Sequence, residues 1–279
     1  MGELLSSVAS YTFLQNAIIA GILASIVCGI TGTFVVVKKI TFISGGIAHA
    51  VLGGVGIALY FSMPPIIGAF VSAILSAIII GLVKLKANQH EDTVISALWA
   101  MGMAVGVIFM YLTPGYSTDL LSYLFGNILM VSSTNLYILA GLNVFIIFIV
   151  IIFYRQFVAI TYDEEQARLR GLPVNFLYIL LLCIIALTIV VLIQIVGIIL
   201  VIALLSLPAA IAGLYTRTLH AMMFFAIGLG MIFTLSGIAI SFSANIPTGA
   251  TIIIICGLVY LIAINLTRFI HKKNVSLKN

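Results

Sequence analysis

One histidine stands well inside the apolar sequence. His49 sits in ISGGIAHAVLGGVGIALYF, residues 43–61, which also carries five glycines. A neutral imidazole is a good ligand for zinc and an acceptable one for manganese or iron. On a helix, positions i, i+4, i+8 and i+11 share a face, so Gly45, His49, Gly53 and Gly56 form one stripe, which Gly46 and Gly54 widen. Such a stripe admits a neighbouring helix or a pathway at close range and does not face lipid. Two readings stand here. The ring hydrogen-bonds a backbone carbonyl inside a packed core, or it lines a route for a cation. A single imidazole binds weakly, which suits a route, and waters or the polar groups of Asn127, Gln194 and Asn245 are candidates to complete a transient shell.

The other reactive residue types narrow the chemistry further. Cys28, Cys183 and Cys256 lie far apart in apolar runs and form neither a disulfide framework nor a paired metal motif. An enzyme within the membrane would need a nucleophile–base pair or a metal cluster, and one buried histidine supplies neither. His90 in the "HED" triplet lacks a second histidine at helical spacing and reads as a loop residue, and His220 as interfacial. None of the seven acidic residues falls inside an apolar run. Ion-coupled carriers bury a carboxylate for the coupling ion or for proton relay. Uphill movement of a solute would therefore draw its energy from another chain.

These residues must be positioned by membrane-spanning helices. Hydrophobic residues make up 63% of the chain and charged residues only 7%, against about 25% charged in soluble domains, and mean hydropathy is +1.35. A span needs roughly 20 apolar residues. The uncharged runs predict an all-α polytopic protein, a single transmembrane domain over 1–279 of about nine spans (eight to nine): 12–37, 45–61, 65–85, 93–112, 135–154, 175–193, 197–215, 219–240 and 247–268. Residues 171–216 are too long for one helix, and the turn is expected between Gln194 and Gly197. The amphipathic stretch 116–131 is an additional interfacial or re-entrant candidate. The first 37 residues show no basic n-region or cleavage site and are expected to remain as a span.

Charge sets the orientation. With nine spans and the N-terminus outside, all twelve basic residues fall on one side, and only Glu3 and Asp119 on the other. The positive-inside rule makes that side the cytoplasm. The net charge of +5 is thus a topology signal and gives no reason to expect a nucleic-acid partner. Asp119 reads as a solvated loop residue, or as a contact for an outer partner or for cations at the mouth.

The longest cytoplasmic connection, 155–174, contains the helix signals of YDEEQARLRGLP. Asp163 is suited to N-cap a short helix with Gln166 three residues on. Glu164 and Glu165 favour its start, and Arg168 and Arg170 its end. Gly171 suits the left-handed position beyond that end, and Pro173 stops continuation. A helix over 164–170 follows, either as a cap on the bundle or as a lever for a cytoplasmic motor. Elsewhere, Glu91 and Asp92 open a span, Gly102 and Gly106 allow close packing, and Pro208 is expected to kink its helix.

Taken in order, these pieces resemble the permease subunit of the ABC-type importers for divalent metals (zinc, manganese or iron). The segments carrying the resemblance are SGGIAHAVLGGVGIAL (44–59), EDTVISALWAMGMAVGVIF (91–109), LLSYLFGNILMVSSTNL (120–136), YDEEQARLRGLPVNFLY (162–178), VGIILVIALLSLPAAIAGL (196–214) and NIPTGATIIIICGLVYLI (245–262). The resemblance implies a fold like the cobalamin-type ABC importer permeases in the plasma membrane of a prokaryote. It implies a homodimeric pathway, cytoplasmic ATP-binding subunits and an extracytoplasmic metal-binding protein. No permanently bound cofactor is implied: the metal is cargo, and ATP belongs to the partner. It gives the ATPase-coupling role to Asp163, Glu164, Glu165, Ala167, Arg168 and Gly171, and places His49 on the metal pathway. The chain departs from the family pattern D-x-x-S/A-H-A at Gly45, and at Asn245 before its "PTG" turn. The alternatives are a motor-independent secondary transporter or facilitator, and a permease for a metal chelate of the cobalamin or siderophore type.

Overall fold

The computed structural model describes residues 11–86, 91–114, 126 and 128–276. Where lipid offers no hydrogen bonds, each spanning segment must satisfy its own backbone, and the helix does this within one segment. Among the described residues, nine helices are long and apolar enough to cross a bilayer. They are α1 (Thr12–Val37), α2 (Thr41–Tyr60), α3 (Pro65–Lys86), α4 (Glu91–Leu112), α5 (Ser133–Tyr162), α7 (Val174–Val196), α8 (Ile198–Tyr215), α9 (Leu219–Ala244) and α10 (Thr248–Ser276), with the short α6 (Glu164–Leu169) between α5 and α7.

The ends of these helices follow local chemistry. Pro65 opens α3, where its missing N–H is no loss. Ser132 caps α5 by accepting from the Asn135 N–H at 3.3 Å. The expected break in 171–216 is a single residue, Gly197, at φ 81° and ψ 162°, a backbone conformation essentially confined to glycine. Gly126, at φ 59°, packs directly on the backbone of Val196 and Gly197, where a side chain would collide. α8 continues through Pro208 as a helix. The helices that outrun their predicted ends furthest are α5, which passes residue 154 to Tyr162, and α10, which passes residue 268. Arg155 and Arg268 mark where hydrophobicity stops. A helix does not have to end there, and α5, at 30 residues, is about 45 Å long and projects beyond the hydrocarbon.

Packing divides the bundle. α2 lies against α4 and α3, while α1 lies against α9, α8 and α5. α7 joins the two groups by touching α3, α5, α2 and α1. α1, α2 and α7 are the interior helices, and α4 and α5 leave most of their surface outward. Where α1 meets its neighbours the contacts are backbone to backbone: Gly29 faces Ile227, and Gly32 faces the Leu205 carbonyl. Ser25 and Thr234 exchange a hydrogen bond of 3.3 Å across the α1–α9 crossing, the kind of small polar contact that holds spans together in lipid. The predicted extra helix over 116–131 falls mostly outside the described residues, and only a 3₁₀ turn at Ile128–Met130 belongs to it.

Candidate functional site

The glycine stripe of α2 faces α4. A methyl added at Gly53 would lie 3.0 Å from the Gly102 carbonyl oxygen, and one at Gly56 would lie 2.6 Å from that of Gly106. From the other side, Gly102 meets the Ala50 Cα and Gly106 the Leu52 carbonyl. Gly46 receives the Ile95 side chain on the same face. Gly54 differs from expectation, because it turns to α3 and meets Gly68. Two adjacent glycines point about 100° apart on a helix, so one segment serves two close crossings.

His49 is 8% exposed on this stripe. Its ring stacks on the Trp99 indole of α4, with centroids 4.2 Å apart and planes 12° from parallel. Its Nδ1 is buried and has no hydrogen-bond partner among the described residues. Thus the carbonyl bond that would have made this a self-satisfied core histidine is absent at that nitrogen. On the cytoplasmic side of Trp99, the Phe42 ring follows at 6.0 Å. Phe42 in turn lines a cavity of about 480 Å³ with Asp92, Thr93 and Ser96. Asp92, Phe42, Trp99 and His49 thus follow one another along the α2–α4 crossing, from the start of α4 to the middle of α2.

Of the other candidate ligands, the two described ones stand at helix ends and away from mid-span. Gln194 is exposed near the outer end of α7. Asn245 is exposed at the end of α9, in the left-handed conformation at φ 54°, a place asparagine tolerates better than most residues. Its loop is closed by its neighbours: Ser241 donates to the Ile246 carbonyl at 2.5 Å and shares a 2.6 Å bond with Thr248. Asn127, with Glu3, His90 and Asp119, lies outside the described residues. No group of three or more His, Cys, Asp or Glu side chains suited to a metal occurs among the described residues.

The cytoplasmic helix is built as its sequence suggests. The Asp163 carboxylate accepts from the Gln166 N–H at 2.8 Å. At the other end the Leu172 N–H donates to the Ala167 carbonyl and the Gly171 N–H to that of Arg168, with Gly171 at φ 77°, a Schellman closure. The Arg168 guanidinium donates to the Asn175 side chain at 3.2 Å, tying α6 to α7. Ala167 is 2% exposed and seats the helix on the bundle, whereas Glu165, Gln166, Arg168 and Leu169 face outward.

Sequence reading misses the anchor of this helix. Lys38, just past α1, has a side chain only 4% exposed and pairs with Glu164 at 2.6 Å. The same ammonium donates to the Ile160 carbonyl at 2.6 Å. Lys38 and Lys84 stand 5.3 and 4.9 Å from the centre of the buried Tyr178 ring. Burial pushes the Lys38 pKa below the ordinary lysine value, with Glu164 opposing that shift. Leu169 and Trp99 are likewise new, and Asp92, expected only to open a span, also lines the cavity beside Phe42. The one available signal was Trp99 being the chain's sole tryptophan.

Residues 10–267 match the model of the ABC 3 transport family. An uncharacterized membrane protein of Synechocystis is 47% identical, over 96% of this chain and 95% of that protein. The manganese transport system membrane protein MntC of Halalkalibacterium halodurans is 35% identical, over 91% of this chain and 87% of that protein. In three dimensions the chain is similar to PsaBC from Streptococcus pneumoniae in complex with Fab, with TM-score 0.85, 35% identity and 94% of each chain covered.

Proposed function

Because the chain belongs to the ABC 3 transport family, we propose that it is the membrane-spanning subunit of an ATP-driven importer for divalent transition-metal ions, manganese first among them. The protein is a multi-pass protein of the plasma membrane. ATP is bound and hydrolysed on a cytoplasmic partner, an extracytoplasmic metal-binding protein delivers the ion, and two copies of this chain enclose the route. The chain itself is assigned no catalysis and no permanent cofactor. The observation that carries the reading is α6, a capped helix bound to three spans at the basic end of the bundle. A nucleotide-driven movement pressed on α6 would reach Lys38 beside α1, through that ammonium Ile160 of α5, and α7 through Asn175.

A bare ion as cargo agrees with the α2–α4 crossing, where glycines bring backbones into contact. Every described acid lies at a helix end or in the α5–α6 junction, consistent with the absence of ion coupling. At limiting manganese, His49→Ala is expected to raise the concentration for half-maximal uptake about tenfold, in keeping with loss of a metal-contacting group. Uptake assays in cells lacking other manganese importers check this, and unchanged uptake would remove His49 from the pathway.

Leu169 is 84% exposed at the cytoplasmic face. An apolar anchor ringed by Glu165, Gln166 and Arg168 has the composition of an interface core. Leu169→Glu is expected to lose most of the ATPase subunit in affinity co-purification while the chain itself stays folded. Full recovery of the ATPase would exclude this face as the dock.

A further inference from the structure

Metal-binding histidines are normally oriented by a hydrogen bond that the second ring N–H donates to a carboxylate, carbonyl or water. His49 has no such partner at Nδ1 among the described residues, yet its ring is held flat against Trp99. The space for that indole comes from the adjacent turn of α2. A Cβ at Gly45 would already lie 3.4 Å from Trp99 Cζ3, and any longer side chain would run into the ring. Phe42, a turn before Gly45, touches the indole from the cytoplasmic side. Residues 42, 45 and 49 lie along one helical face, and Trp99 lies across all three.

From this geometry we propose that Trp99 is the positioning residue of His49, and that Gly45 is the seat that lets it stack. The proposal rests on the pathway reading of His49. Stacking on Trp99 covers one flat face of the imidazole and leaves the ring's edge, where the nitrogens are, uncovered by the indole. Trp99 thus fixes the ring plane without a charged partner. The resulting station holds an ion by one neutral nitrogen and releases it readily.

Three variants and one spectroscopic signal test this. Trp99→Phe keeps a ring to stack, whereas Trp99→Leu fills space without one. Trp99→Leu is expected to raise KM for manganese uptake about tenfold, the low end of what loss of an orienting group costs. Maximal rate should change far less than KM does, and Trp99→Phe should stay near wild type. Gly45→Leu should reproduce the Trp99→Leu defect by displacing the indole. Equal defects in the Phe and Leu variants, or a wild-type KM in Trp99→Leu, would overturn the proposal.

Because Trp99 is the only tryptophan, its fluorescence in the full chain reports on this place alone, even should the Leu variants fail to fold. Cobalt(II), a quencher, should extinguish it saturably in wild type and not in His49→Ala. Absence of saturable quenching in wild type, or its persistence in His49→Ala, would also overturn the proposal. A His49→Ala defect alongside a normal Trp99→Leu would sink only this inference. Normal uptake by both would sink the pathway reading as well.

Discussion

Glu164→Ala is expected to destabilise the protein more than Lys38→Met does, although both delete the same ion pair. The asymmetry follows from burial. The Lys38 side chain is 4% exposed and that of Glu164 40%. Removing Glu164 leaves a buried ammonium with the Ile160 carbonyl and the Tyr178 ring as its nearest compensation. Stripping the partner from a fully buried charge costs about 3–5 kcal/mol. With a carbonyl still in place, about 1–3 kcal/mol is the appropriate range. Removing Lys38 instead takes the charge out of the interior, and Glu164 turns to water. One defect then remains, the Ile160 carbonyl near the end of α5 without its Lys38 donor, which keeps the cost at the lower end of that range. Thermal unfolding of the purified variants measures the difference.

The two variants should nevertheless share a transport defect. Each severs α6 from α1, so metal moved per ATP hydrolysed should fall in both, and Lys38→Met should do so from a well-folded protein. Normal transport by Lys38→Met would show that the pair only stabilises.

The second large effect is expected at glycines where two backbones meet. A Cβ at Gly32 would collide with the Leu205 carbonyl, and one at Gly68 with that of Gly54. Carbonyls within helices cannot rotate aside, so the helix axes must separate. Gly32→Ala and Gly68→Ala are each expected to cost about 1–3 kcal/mol, as overpacked sites do. Gly141, Gly228 and Gly257 have nothing within 4 Å of the added atom. Alanine there should gain about 0.5–1 kcal/mol from helix propensity alone. One chemical change thus takes opposite signs, decided by what stands opposite. Thermal unfolding of the five variants in one detergent reads the signs directly.

Those glycines also show what sequence can reveal and where it stops. The spans, the Gly197 break and the caps of α6 were legible because each depends on residues within a few positions of one another. That Gly45, His49, Gly53 and Gly56 share a face was legible for the same reason. That Trp99 fills this face was not, since nothing in residues 43–61 names a partner fifty positions away. Lys38 is a sharper case. Its charge marked only the inner boundary of α1, and its partners Glu164 and Ile160 are more than a hundred residues distant. Hydropathy placed the end of α5 at Arg155, although the peptide backbone has no reason to leave the helix there. Asn245 was read as a ligand by its chemistry, while its backbone conformation gives a local reason for that residue type.

The central claim is a bundle that carries a metal ion only when a nucleotide-hydrolysing partner works on α6. Radiolabelled manganese uptake into sealed proteoliposomes tests it most directly, comparing this chain alone with the chain plus its ATPase and metal-binding subunits. The account predicts accumulation only with all subunits and ATP on the α6 side, abolished by Leu169→Glu. Accumulation by the chain alone, or uptake by the full assembly without ATP, would contradict it.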